Sequence, residues 1–228
     1  MGQAAHHLAK VHRHRVGDTI EVVTAGHVFR AVISAIRVGE VSVRLTEKLV
    51  SPEATLAVTL YQGMPKGDKF ELIIQKAVEL GVGRVVPVVC DRSVAVLPHE
   101  KAAARLVRWQ SIAAEAAKQS GRAVTPEISL PLSFSAAVAE SAASLRLMAY
   151  EGGGRKLKDA LRQAQVSEGV GSVDCVVGPE GGLTAEEVNA AVGCGFIPVT
   201  LGPRILRTET AALALLCILM YELGDMGD

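Results

Sequence analysis

Aromatic side chains are scarce in this sequence. They make up 4% of its 228 residues against 49% apolar overall, so the core is aliphatic. An excess of charge is missing too, with 24 Lys and Arg against 24 Asp and Glu. Nothing in that balance demands nucleic acid, and any basic face has to be local. No CxxC pair exists among Cys90, Cys175, Cys194 and Cys217, three of which sit in apolar runs. They read as reduced core residues of a cytoplasmic protein, and no structural metal is expected. His6, His7, His12 and His14 are crowded enough to suggest a metal cluster, but interleaved with Lys10, Arg13 and Arg15 they read rather as a solvated basic segment. The first residues lack the apolar centre of a signal peptide. The longest apolar run, 211–221, is far short of the ~20 residues that span a bilayer, so no membrane partner is expected. Neither GxGxxG nor GxxxxGK[ST] occurs, which disfavours a Rossmann or P-loop enzyme.

What is present falls into two parts. The length suits one large or two modest domains. Residues 19–23, 27–37 and 41–45 are rich in Val, Ile and Thr, with turn signals at Ala25-Gly26 and Gly39-Glu40, and read as a β-meander. A helix over 6–15 precedes it. Residues 1–50 carry seven Lys and Arg against four Asp and Glu, a net of +3 that suits a module facing nucleic acid. Ser51-Pro52-Glu53 reads as a linker, giving domains 1–52 and 53–228. Beyond it strands (55–60, 84–89, 145–150, 173–177, 196–201) alternate with helices (66–80, 100–118, 134–144, 156–165, from 184, 209–223). That alternation means an α/β fold with a mostly parallel sheet covered on both faces. The helix over 66–80 places Phe70, Ile73, Ile74, Ala77 and Leu80 on one face and stops at Gly81. The last helix is apolar nearly all round and should be buried, in the core or against a second subunit.

The chain is organised around Val173–Val188, a strand, a glycine loop and a helix. Gly178, Gly181 and Gly182 let another molecule approach the main chain, and Thr184 with Glu187 has capping-box spacing. A second loop, Gly202-Pro203-Arg204-Ile205-Leu206-Arg207, follows 196–201, and a third, Glu151-Gly152-Gly153-Gly154, follows 145–150. In open α/β sheets ligands bind beyond such strand ends, although glycine is also an ordinary turn residue. Positive charge in the loops is limited to Arg204 and Arg207. A pocket lined by backbone suits an uncharged purine ring better than a triphosphate.

Gly178-Pro179-Glu180-Gly181-Gly182-Leu183, together with Leu201-Gly202-Pro203-Arg204-Ile205-Leu206-Arg207-Thr208-Glu209-Thr210-Ala211, closely resembles the signature of the bacterial 16S rRNA uridine-N3 methyltransferases of the SPOUT superfamily. Lys66-Gly67-Asp68, Glu79-Leu80-Gly81-Val82, Gln119-Ser120-Gly121-Arg122, His6-His7-Leu8 and Arg15-Val16-Gly17-Asp18 extend the likeness over nearly the whole chain. The chain departs from the pattern at His12, His14, Val78 and Lys118, and lacks the short strand that usually precedes the double histidine.

The resemblance implies a small PUA-like β-barrel, then a SPOUT domain with a C-terminal trefoil knot that forms a homodimer. It implies S-adenosylmethionine as methyl donor, 16S rRNA within the small subunit as substrate, and no metal. The donor site would be Ala149, Tyr150, Glu151, Gly178, Pro179, Glu180, Gly181, Gly182, Leu201, Gly202, Ile205, Leu206, Thr210 and Ala211, mainly through backbone groups. Arg207 would be the catalytic cation, or else a structural partner of Glu209 or Glu180. Glu180 would be a base or a carboxylate held by N–H groups, and Thr208 a helix cap or a donor contact. Lys66, Lys69, Arg92 and Arg122 would meet RNA phosphates, with Ser93 beside Arg92. The alternatives are a SPOUT enzyme acting on another RNA position and a non-catalytic RNA-binding relative.

Overall fold

The computed structural model describes residues 14–38, 40–93, 99–166 and 169–227. His6, His7, Leu8, His12 and Gly39, and most of the helix expected over 6–15, lie outside the described residues. His14 lies inside them, with Nδ1 3.4 Å from Asp18 Oδ2. The chain forms two compact units, Met1–Glu53 with Gly121–Val124, and Ala54–Ser120 with Thr125–Asp228.

In the first unit β1 (Thr19–Thr24), β2 (His27–Arg37) and β3 (Glu40–Lys48) form an antiparallel sheet in that order. Ala25 and Gly26 join β1 to β2 with φ of 51° and 74°. Two successive positive φ values are what a two-residue type I′ hairpin needs. Register shifts interrupt β2–β3 pairing at Arg30/Ala31. Thr46 of β3 is the unpaired extra residue there, and Ser34 of β2 is the extra residue of a second shift at Ile33/Ala35. Among the described residues the unit is this three-stranded sheet, without closure into a barrel.

The segment Gly121–Val124 joins this unit although it lies inside the expected second domain. The Glu53 carboxylate holds it, accepting from Arg122 Nη2 at 2.6 Å, Ala123 N at 2.7 Å and Val124 N at 3.0 Å.

The second unit is an eight-stranded parallel sheet. Its strands are β4 (Ala57–Gly63), β5 (Arg84–Val89), β6 (Glu127–Ile128), β7 (Leu132–Ser133), β8 (Leu145–Ala149), β9 (Arg155–Lys156), β10 (Ser172–Val177) and β11 (Ile197–Thr200). The order is β6-β5-β4-β10-β8-β11-β9, with β7 also on β5. The two-residue strands β6, β7 and β9 leave no periodic trace in sequence. Six helices accompany the sheet: α1 (Lys69–Glu79), α2 (His99–Gln119), α3 (Phe134–Glu140), α4 (Leu157–Val166), α5 (Ala185–Gly193) and α6 (Thr208–Glu222).

Alternation along the strands separates two cores. Leu60, Leu147, Val173, Cys175 and Val199 face one way, with residues of α1, α2, α4 and α6. Tyr61, Val86, Met148 and Val176 face the other, with α3 and α5. Both faces of the parallel sheet are thus covered, as such sheets require.

Helix α1 buries Phe70, Ile73, Ile74, Ala77 and Val78, at i, i+3, i+4, i+7 and i+8. Leu80, expected on that face, is the C-cap instead. Gly81 at φ 92° ends the helix, its N–H bonding Val78 O while Val82 N bonds Ala77 O. That pair of bonds is a Schellman stop. Helix α6 buries Ala212, Leu215, Leu216, Leu219 and Met220, but Cys217, Ile218 and Tyr221 are exposed. Its apolar face therefore extends beyond the unit's own core, and Cys217 is a surface thiol rather than a core residue.

Candidate functional site

Parallel pairing in the order β10-β8-β11 brings the carboxyl ends of these strands to one edge. The three loops singled out in the sequence leave from there. Together they line a cavity of about 570 Å³.

The glycine loop after β10 is wedged on several sides. Gly182 N donates to Pro179 O at 2.9 Å and closes a tight turn. A Cβ on Gly63, at the end of β4, would lie 2.6 Å from Pro179 Cδ. A Cβ on Gly181 would lie 2.9 Å from Arg92 Cβ, and Arg92 Nη1 donates to Gly181 O at 3.1 Å. Gly182 has φ 70°, and a Cβ there would run into Glu151 Oε1. Glycine is therefore required for close approach at Gly63 and Gly181, and for conformation at Gly182.

The expected capping box forms. Thr184 Oγ1 accepts from Glu187 N at 3.2 Å and Glu187 Oε2 from Thr184 N at 2.8 Å. Glu187 Oε1 accepts from Asp91 N at 2.9 Å, so one carboxylate both starts α5 and ties down the chain after β5. Nearby Cys90 is buried, and burial with the Glu187 charge pushes its thiol up to about 12.

The loop after β11 returns across the sheet. Beyond β11, which lies beside β8, Thr208 Oγ1 donates to Gly178 O at 2.6 Å and accepts from Gln62 Nε2 at 2.8 Å. Gln62 lies on β4, on the far side of β10 from β8. Residue 207, not 208, is the N-cap of α6, and Thr208 is a buried strut. Gln62 is fully buried and was not expected; its only signal is an amide in an apolar strand.

Lys69 Nζ sits 3.0 Å from Glu180 Oε1 and 3.3 Å from Glu209 Oε2. Lys66 N also donates to Glu180, at 3.2 Å. Burial raises the Glu180 pKa, but the Lys69 hydrogen bond and main-chain N–H groups outweigh it and hold the carboxyl below its ordinary range. Hydrogen bonding to Glu180 in turn raises Lys69 above its ordinary value. The cation that pairs with Glu180 and Glu209 is thus Lys69. Arg204 and Arg207 also line the cavity and are exposed, and their side chains have no hydrogen-bond or ion-pair partner among the described residues.

Of the residues expected to hold a donor, all line the cavity except Thr210, which is exposed on α6. Val177, Thr200 and Pro203 line it as well. Lys69 lines it, while Lys66 and Arg92 do not. Lys66 has an exposed side chain with no partner among the described residues, and Ser93 Oγ accepts from Cys90 N at 3.1 Å. Arg122 belongs to the first unit, its side chain 9% exposed against Glu53, which leaves little of it for a phosphate.

The main chain of residues 203–206 enters no hydrogen bond among the described residues. Ile205, next to it, is 85% exposed. Unpaired polar backbone beside an open apolar side chain is a surface made for a flat, hydrogen-bonding, weakly charged ligand. No group of three or more His, Cys, Asp or Glu that could hold a metal occurs among the described residues, and no helix is long and apolar enough to cross a membrane.

Comparison with known proteins supplies the class. The RNA methyltransferase domain family matches residues 52–220. The chain is similar to a ribosomal RNA small subunit methyltransferase E of Bacillus subtilis, 35% identical over 226 residues, covering 97% of this chain and 88% of that one. It is similar in structure to a ribosomal RNA small subunit methyltransferase E from Neisseria gonorrhoeae bound to S-adenosyl methionine, with a TM-score of 0.84, 30% identity, and coverage of 99% and 92%. A Legionella pneumophila protein solved in complex with the cofactor SAM gives a TM-score of 0.82 at 32% identity, with the same coverage of 99% and 92%.

Proposed function

The chain belongs to the RNA methyltransferase family, and on that premise we propose that it transfers a methyl group from S-adenosylmethionine to N3 of a uridine in the 16S RNA of the small ribosomal subunit. The bound donor supplies an electrophilic methyl on a sulfonium; the rest falls to the chain's own residues. The main chain of residues 203–206 has N–H and C=O groups without partners, fit to hold an adenine edge, with Ile205 as apolar cover. Glycines at 181 and 182 keep the opposite wall low.

Uridine N3 lies on the base-pairing edge and carries a proton, so the base must be unstacked and the anion favoured. Arg207, exposed at the cavity and unpaired, is the cation that stabilises negative charge on the uracil oxygens. As the N3–methyl bond forms, the methyl–sulfur bond breaks, a neutral thioether remains and one proton is released. Glu180 is not the base in this reading, because its hydrogen bonds make it a weaker base than an ordinary carboxylate. Lys66 and Arg92 are the phosphate contacts, Lys69 being held by Glu180 and Glu209 and Arg122 by Glu53. The first unit, which carries the net positive charge, is the RNA-facing module. Such a substrate puts the protein in the bacterial cytoplasm.

The exposed Cys217, Ile218 and Tyr221 on α6 suit a second copy of the chain, and the return of residues 202–207 across the sheet is the crossing that a trefoil knot would contain. Light scattering of wild type and Tyr221→Asp tests the dimer, and a monomeric wild type at micromolar concentration would rule it out.

The observation that carries the reading is the meeting of three strand-end loops at one cavity beside an unpaired main chain. Calorimetric titration with S-adenosylmethionine, NAD and ATP tests it, followed by mass-spectrometric mapping of methylated small-subunit RNA. Selective binding of the first ligand and a product carrying 3-methyluridine are expected. Preference for NAD or ATP, or a methyl group at another atom, would overturn it.

A further inference from the structure

Five charged side chains line the cavity: Lys69, Glu151, Glu180, Arg204 and Arg207. Lys69 and Glu180 neutralise each other. The two arginines lie on the loop after β11. Glu151, on the loop after β8, is the one cavity carboxylate without a hydrogen-bond or ion-pair partner among the described residues. It is exposed, and its Oε1 lies against Gly182, where an added Cβ would meet it. One wall of the cavity is thus an unpaired anion resting on the glycine loop, and another carries unpaired cations.

We propose that the Glu151 carboxylate is the charge-selecting group of this site, pairing with the positive charge of the methionine half of the methyl donor. The proposal rests on the donor reading above. Of the two halves of S-adenosylmethionine, the adenosine half is uncharged, whereas the methionine half carries a sulfonium, an ammonium and a carboxylate. An anion and cations lining one cavity match that half. An exposed carboxylate without a partner gains modestly from a ligand cation.

The test is equilibrium titration of wild type and Glu151→Gln with S-adenosylmethionine and with 5′-methylthioadenosine, which keeps the adenosine and lacks all three charges. Glutamine preserves the packing on Gly182. The variant is expected to bind S-adenosylmethionine about fivefold more weakly, the scale of one partly solvated ion pair, while 5′-methylthioadenosine affinity stays within about twofold. Equal losses for both ligands, as a ribose contact or a collapsed loop would give, overturn the proposal, and so does no loss for either. If wild type binds 5′-methylthioadenosine but not S-adenosylmethionine, it is the donor reading that fails.

Discussion

The Thr208 hydroxyl donates to the carbonyl of Gly178 across thirty residues of sequence, at 2.6 Å. It accepts from Gln62 in turn, so β4, the glycine loop and the start of α6 are fixed to one another at a single buried oxygen. Arg207 is the next residue, and its position over the cavity follows from that strut.

Thr208→Val keeps the shape and removes the strut, leaving the Gln62 amide and the Gly178 carbonyl without that partner. It is expected to cost about 1–3 kcal/mol. Urea unfolding measures this, and an unchanged midpoint would show that the hydroxyl is dispensable.

Arg207→Ala should leave stability unchanged, because Lys69 rather than Arg207 pairs with Glu180 and Glu209. The turnover rate should fall by at least about 100-fold, the scale of losing one charge-stabilising donor, with donor affinity nearly intact. Affinity and turnover falling together would assign Arg207 to binding or structure.

Gly181→Val forces a side chain against Arg92, whose Cβ is 2.9 Å from the position of a Cβ at Gly181. The loop must move, and donor affinity should drop by more than about tenfold, or 1.4 kcal/mol. Unaltered titration curves would take this loop out of the site.

Acid should act through Glu180 and Glu53, both of which ionise below the ordinary value of 4.5. Burial raises each, but hydrogen bonds from Lys69 and N–H groups at Glu180, and from Arg122, Val124 and Ala123 at Glu53, prevail. A carboxyl with a depressed folded pKa contributes stability that is complete above its unfolded value and lost as acid protonates the folded form. Wild type should therefore lose stability as pH falls below 4.5, and Glu180→Gln and Glu53→Gln should lose less over the same range. Unfolding midpoints at pH 7 and pH 4 compare them, and parallel losses in all three proteins would remove these carboxylates from the acid response.

The elements that could be read from the chain alone are those whose determinants are local. The Thr184–Glu187 box started α5 because both partners lie within one turn. Gly81 stopped α1 because an adjacent residue needed positive φ. The three loops were visible because each glycine group followed a mostly apolar run. The inserted segment Gly121–Val124 was not visible, since its anchor is Glu53, and neither was the partner of Lys69, which lies 111 and 140 residues away. Nothing local separates Arg207 from Lys69 as the partner of Glu180 and Glu209, and the fold hands both carboxylates to the lysine on α1.

Signals within a few residues, periodicity, capping and glycine, mark where the longer strands, the turns and the helices begin, and which loops are thin enough to let a ligand reach the backbone. Tertiary structure alone decided which loops share a cavity and which charges are left unpaired in it. Strand β10 enters between β4 and β8, although β8 precedes it in the chain. That order brings Gln62, Gly178 and Thr208 to one point and leaves the side chains of Glu151, Arg204 and Arg207 without a partner among the described residues, and it is set by how whole faces of the sheet bury against helices rather than by any local pattern.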